Sequence, residues 1–413
     1  MLENETVVVF ADDWGVHPSS AQHLFRRFLE GNRVIWFDTV GQRLPRPTFG
    51  DAQKVFRKIA LWARLPIPLP GAGLRRAAVA AGPGDGAGGG VEARPEVHDL
   101  PLFPVALGRA AREANARLLR RAVRARLPAT GPGAGRPPFI VSTLPLTADL
   151  AGAIPGATFV YYLVDDYASW PGLAGEALRR LDLEQARRAD LVVAASRALA
   201  ALHEGRAGGP IEYLPHGVDL LHFAAARSRR AERRRRGERA FAEVVFFGAL
   251  DERVDQGLLR EVAAARPDLR FLVVGPGGRL EPALRDLGNV ARLGPVDYAE
   301  LPALLGRCDV ALLPYARGPL VERLAPLKAR EALAAGLPVV ATAVPELEAH
   351  ADGVRLATGA AAIAARLDEA LAGEVPCPGV RDLAADSWEE RAERMSEALA
   401  GARARKGRYG AAA

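Results

Sequence analysis

Cysteine is nearly absent from the chain: two residues, Cys308 and Cys377, in 413. Two thiols cannot build a disulfide framework, so a reducing compartment is the expectation. Long apolar runs are also missing, and no segment approaches the about 18 uninterrupted apolar residues of a membrane-spanning helix. The acidic opening M-L-E-N-E-T has neither the basic start nor the apolar run of a signal peptide. A cytoplasmic protein is therefore expected. Aromatic residues make up only 6% of the chain, which leaves few platforms for stacking bases and argues against a nucleic-acid partner.

What is present is ordinary for a soluble globular protein, with 49% apolar and 25% charged residues. A chain of 413 residues is too long for one core, so two domains are expected. The net charge of +6 comes largely from arginine. It suits phosphate-bearing substrates, or an anionic membrane surface to which the protein would bind peripherally.

The most informative stretch, residues 326–342, reads P-L-K-A-R-E-A-L-A-A-G-L-P-V-V-A-T. It divides into a short helix, a Gly336 stop, Pro338 and a β-branched strand, a helix-to-strand unit of a parallel sheet. Lys328 and Glu331 lie three apart and so share one helical face. A lysine in the first turn opposes the helix dipole, and a phosphate at that end would account for it. Glu331, one turn on, could accept from ribose hydroxyls. The plainer alternative is an exposed surface pair.

Before this stretch runs an α/β series with strands at E-V-V-F-F-G, L-R-F-L-V-V-G, N-V-A-R-L-G and D-V-A-L-L-P-Y, separated by helices, as in a doubly wound parallel sheet. Gly248 ends the first of these strands, where a backbone without Cβ could approach a phosphate, and Gly275 ends the second, where it could wall a base. With Phe246-Phe247-Gly248 before it, the segment resembles the donor-binding domain of GT-B glycosyltransferases, specifically the retaining enzymes of family 4. That resemblance implies two Rossmann-like doubly wound domains facing across a cleft, and a nucleotide-diphosphate sugar as substrate, with no further cofactor and no metal. It gives Arg253 and Lys328 the diphosphate, and Gly318, Leu320 and Glu322 contacts to the donor sugar. Family 4 enzymes often carry a second glutamate eight positions before the first; here that position is Arg323, with Glu322 out of register.

The first half opens with an apolar strand at 6–10, the loop A-D-D-W-G-V-H-P-S-S, a helix near 21–30 and a strand at 33–38. Ligands in such sheets gather at the carboxyl ends of strands, which makes His17, Ser19 and Ser20 acceptor-side candidates. Helix capping by either serine is the simpler reading. Continued by Gln22-His23-Leu24, the phrase resembles the opening of bacterial surface-polysaccharide glycosyltransferases like those of teichuronic acid synthesis. A basic amphipathic helix is read at 51–65, a Gly-rich loop at 71–95 and an arginine-rich helix at 108–127. Asp165 and Asp166 follow the strand T-F-V-Y-Y-L-V. Adjacent strand residues point to opposite faces, so the two cannot readily share one ion. That favours a metal-independent role for either at the cleft, touching acceptor or sugar hydroxyls, with helix capping by Asp166 as the plainer alternative. The resemblance implies acceptor-side or catalytic-region groups at this strand end, with Asp166 as the catalytic-region candidate and Asp165 an acceptor-side one.

Pro215-His216-Gly217-Val218-Asp219 resembles the P-N-G-V-D phrase closing the first domain of family 4 enzymes, with histidine in place of asparagine. Residues 227–239 hold eight arginines and no apolar run, the signature of a solvated linker. The expected order is an acceptor-side domain at 1–224, a linker at 225–242, a donor domain at 243–385, and a helix with tail at 386–413 returning to the first domain. The function expected from the resemblance is sugar transfer to a polysaccharide, lipid-linked or other acceptor. A nucleotide-sugar 2-epimerase of the same fold and a non-catalytic scaffold remain as alternatives.

Overall fold

The computed structural model describes residues 1–15, 19–40, 93–103, 108–173, 175–237, 242–350 and 352–410. His17, the helix expected at 51–65 and all but the last three residues of the loop expected at 71–95 lie outside them. The chain forms two compact bodies, Met1–Pro215 with Ala392–Ala413, and His216–Arg391.

In the first body seven parallel strands are ordered β3-β2-β1-β4-β5-β6-β7: β1 Thr6–Ala11, β2 Arg33–Val40, β3 Glu96–Pro101, β4 Phe139–Ser142, β5 Thr158–Leu163, β6 Leu191–Ala194 and β7 Ile211–Tyr213. β1, β4, β5 and β6 are buried along their whole length, as unbroken apolar runs covered on both faces should be. The connecting helices are α1 Ser20–Arg26, α2 Arg109–Arg124, α3 Gly175–Arg188 and α4 Arg197–His203. In the second body α5 Leu220–Arg236 comes first. Six parallel strands follow in the order β10-β9-β8-β11-β12-β13: β8 Ala242–Phe247, β9 Leu269–Val274, β10 Val290–Gly294, β11 Val310–Leu313, β12 Val339–Thr342 and β13 Val354–Ala357. Its further helices are α6 Gln256–Ala265, α7 Pro282–Arg285, α8 Leu301–Leu305, α9 Pro319–Glu322, α10 Leu327–Ala334 and α11 Ala360–Ala372. The last helix, α12 Trp388–Gly410, begins in the second body and ends in the first.

Both sheets are doubly wound in the same way. The chain runs outward over three strands, returns beside the first of them, and runs outward the other way. The reversal falls between β1 and β4 in one body and between β8 and β11 in the other, and such reversal points are where open α/β sheets bind ligands.

The arginine run is not a linker. Residues 220–236 form α5, and the second body starts at His216, ahead of the boundary expected at 224. Arg227 donates to the Leu333 carbonyl at 2.7 Å, Ala334 at 3.2 Å and Pro378 at 2.8 Å. Arg230, three residues on, donates to Asp309 at 2.6 Å and to Gly336, and Arg233 donates to Arg307. The spacing puts three guanidinium groups on one face, where they satisfy carbonyls at and just past the C-terminal ends of α8 and α10, the negative ends of those helices. Phe223, fully buried, ties the same helix into the core. Among the described residues no helix is long and apolar enough to cross a membrane.

Candidate functional site

At the β8–β11 reversal the carboxyl strand ends are built from glycine. Gly248 has φ +146° and Gly275 φ +134°, conformations that side chains rarely adopt. A Cβ on Gly275 would lie 1.9 Å from the Gly248 carbonyl oxygen, and one on Gly277 2.6 Å from that of Leu250. This close approach lets the two loops zip together, Gly248 N donating to Val274 O at 2.9 Å and Leu250 N to Pro276 O at 2.8 Å. Gly275 thus has a structural duty, holding Gly248 in place, beside the wall for a base expected of it.

Lys328 stands over this glycine. A Cβ at Gly248 would be 3.6 Å from Lys328 Cε, and the ammonium lies 5.6 Å from the Phe247 ring centroid. Lys328 Nζ donates to Glu331 Oε2 at 3.0 Å, with the Glu331 side chain only 3% exposed. The pair is therefore not the exposed surface pair of the plainer reading. Pro326 at the N-cap of α10 offers no side-chain cap, so the orphan N–H groups of that first turn add to the local positive potential.

Arg253 is on the loop after β8. Its main chain is pinned by Ala316 N donating to Arg253 O at 2.8 Å and by the antiparallel bridge between Val254 and Tyr315. Its guanidinium is held by a carboxylate two residues back: Nε donates to Asp251 Oδ1 at 2.9 Å and Nη2 to Oδ2 at 2.6 Å. Tyr315, just past β11, is buried and lies within electrostatic reach of Arg253, Asp251 and Glu331. Burial first, opposed by the Arg253 cation and aided by the two carboxylates, pushes its phenol above its ordinary value. Gly318 caps α9 with φ +134° and open space where a Cβ would stand. Glu322 is exposed and Leu320 half-buried.

The β1–β4 reversal of the first body is different in kind. Ser19 is the N-cap of α1, accepting from Gln22 N at 3.3 Å while its hydroxyl donates to Asp12 Oδ1 at 3.0 Å. Ser20 lies inside that helix. Asp165 accepts from Asp166 N at 2.8 Å and from Trp170 Nε1 at 3.0 Å, and Asp166 accepts from Ser169 Oγ at 2.6 Å. Both carboxylates hold the turn after β5. Neighbouring carboxylates gather as well: Asp38 is raised to about 7, first by burial and then by Asp13, Asp99 and Asp12, against a hydrogen bond from Trp14 N. Sequence reasoning missed Asp251, Tyr315 and Asp38. The D-x-R spacing at 251–253 was a readable signal for the first; contacts between distant strand ends make the other two.

Residues 242–373 match the family described as Glycosyl transferases group 1. A curated Bacillus subtilis protein named for teichuronic acid biosynthesis, the glycosyltransferase TuaH, is 38% identical over 104 residues, 24% of this chain and 26% of its own. A Corynebacterium glutamicum GDP-mannose-dependent mannosyltransferase acting on a monoacylated phosphatidylinositol monomannoside is 32% identical over 145 residues, 32% of this chain and 38% of its own. The matches thus span well under half of either relative. Among solved structures, Anabaena HepE with UDP and glucose gives a TM-score of 0.62 at 15% identity, covering 96% of this chain and all of that one. Sucrose-phosphate synthase from Thermosynechococcus elongatus gives 0.63 at 18%, covering 95% and 98%. These likenesses show the fold, two Rossmann-like domains of the GT-B type. Gly248, Lys328 and Glu331 all lie within residues 242–373, the stretch that matches the group 1 glycosyl transferase family.

Proposed function

We propose that the protein is a glycosyltransferase that binds a nucleotide sugar at the β8–β11 strand ends and passes the sugar to a glycan, lipid-linked or other acceptor held by the first body. The observation that carries this reading is the placement of Lys328: a half-buried ammonium above a glycine with no side chain, at the uncapped start of α10, inside the matched domain. The diphosphate would take Lys328 and Arg253, and Glu331 would accept from ribose hydroxyls. In the transfer step the bond from the anomeric carbon to the diphosphate oxygen breaks with its electron pair going to that oxygen, a bond to an acceptor oxygen forms, and the acceptor proton passes to the departing diphosphate. Negative charge grows on the departing diphosphate, and fixed cations stabilise it there more than in the ground state. The reading assigns that relief to side chains rather than a metal, and it takes the anomeric configuration to be retained. HepE bound to UDP and glucose, and mannosyl transfer from GDP-mannose by the Corynebacterium relative, support a nucleotide-sugar donor. Cytoplasmic residence, with peripheral attachment to the inner membrane face, belongs to the same reading.

Melting curves of the whole protein with UDP-, GDP- and dTDP-sugars test it. One family of donors should raise the melting temperature by several degrees at saturating concentration. No shift with any would remove the assignment, and conversion of donor without acceptor would favour the epimerase.

A further inference from the structure

The cations of the candidate donor site are not left open for an anion. Lys328 is matched by Glu331 at 3.0 Å, and Arg253 by Asp251 at 2.6 and 2.9 Å. Counted at formal charge, these four groups sum to zero, so the ligand-free cluster gives a diphosphate little net attraction. The two acids differ in depth and use. Glu331 is buried on the same helix as its lysine and has a second task in the proposed reading, the ribose. Asp251 stands 19% exposed and takes the Nε–Nη2 edge of the guanidinium, the bidentate geometry that a phosphate also seeks.

We propose that Asp251 is a built-in competitor for the diphosphate: its carboxylate engages Arg253 in the ligand-free chain and yields part of that guanidinium when a nucleoside diphosphate binds. This rests on the reading of the β8–β11 strand ends as the nucleotide-sugar site. The loop can allow such an exchange without unfolding, because its main chain is fixed independently of the ion pair. Ala316 N holds Arg253 O, Asp255 N holds Pro314 O at 2.8 Å, and Val254 N donates to Asp251 O at 3.0 Å. The consequence is a site that binds diphosphate only as tightly as turnover permits, since the acid stands ready to recapture Arg253 as product leaves.

Calorimetric titration of UDP, GDP and dTDP into the full chain and into Asp251→Asn tests the proposal. Asparagine keeps a carbonyl to accept from Arg253 N, a contact of 3.1 Å, so the turn is preserved and only the charge is lost. Asp251→Asn should bind the preferred nucleoside diphosphate about tenfold more tightly, as expected for losing one charged competitor, with slower release. Asp251→Glu, which keeps the charge, should stay within about threefold of wild type. If wild type binds a diphosphate and Asp251→Asn binds it equally or less well, Asp251 only positions Arg253 and the competitor role is overturned while the site stands. If wild type binds none of the three, the site reading itself falls.

Discussion

The two sheets share one winding and differ in what they carry where the winding reverses. At the β1–β4 reversal the first body crowds aspartates: burial first and then Asp13 raise Asp12, burial first and then Asp13, Asp99 and Asp12 raise Asp38, and Asp165 and Asp166 lie beyond β5. At the β8–β11 reversal the second body sets glycine backbone against backbone and gives each acid a cation, Glu331 with Lys328 and Asp251 with Arg253. A cluster of like-charged acids repels a diphosphate but accepts hydrogen bonds from hydroxyls, whereas paired cations over bare backbone can exchange partners with phosphate. The two sheets thus differ in charge at their reversal points, which the proposed function reads as a sugar-hydroxyl site in the first and a donor site in the second.

The comparison makes opposite forecasts for aspartates in the two bodies. In the second, Asp386 pairs with Arg330 and Arg391, whose side chains are 7% and 6% exposed. Asp386→Ala strands two buried cations and should cost about 3–5 kcal/mol in denaturant unfolding. A loss under about 1 kcal/mol would show that the carboxylate is not their partner in solution. Gly275→Ala comes next. With the Gly248 oxygen in its way and φ at +134°, it should cost about 2–4 kcal/mol and melt the site, while Gly288→Ala, with nothing within 4 Å, should stay within about 0.5 kcal/mol. Equal behaviour of the two would undo the account of zipped strand ends. Lys328→Gln retains a donor for Glu331 but no charge; transfer should slow about 100-fold at nearly unchanged melting temperature. A rate within about threefold of wild type would detach the lysine from the chemistry.

The smallest effect is in the first body and has the other sign. Asp38 sits at about 7 in the fold against an ordinary 3.8, so folding favours its protonated form. That contribution is fully present below about pH 4 and is lost as pH rises through about 7. Unfolding free energy should therefore fall across that window, and Asp38→Asn should stabilise the protein at pH 8 by about 1–2 kcal/mol while flattening the slope. Identical pH profiles for the two proteins would mean that neither burial nor the neighbouring carboxylates raise Asp38.

What could be read in the sequence was what is local. The buried strands show as apolar runs because both faces are covered, and Gly248, Lys328 and Glu331 could be named because a strand end and an i,i+3 spacing are local features. β3 and β13 went unread. Both are edge strands among the described residues, E-V-H-D-L-P and V-R-L-A respectively, in which the apolar run is broken or short. The arginine run misled for a related reason: Arg227, Arg230 and Arg233 satisfy carbonyls about 75 to 150 residues away, and no local pattern marks a guanidinium that will cap another helix. Tyr315 belongs to the site only because β11 lies beside β8, which is a fact of topology.

The central claim is that Lys328 grips the diphosphate of a nucleotide. Titrating wild type and Lys328→Gln with the preferred nucleoside diphosphate, and with the same nucleoside lacking phosphate, tests it most directly. The account predicts that the variant loses about tenfold or more in affinity for the diphosphate and none for the bare nucleoside. Equal affinity of both proteins for the diphosphate would contradict it.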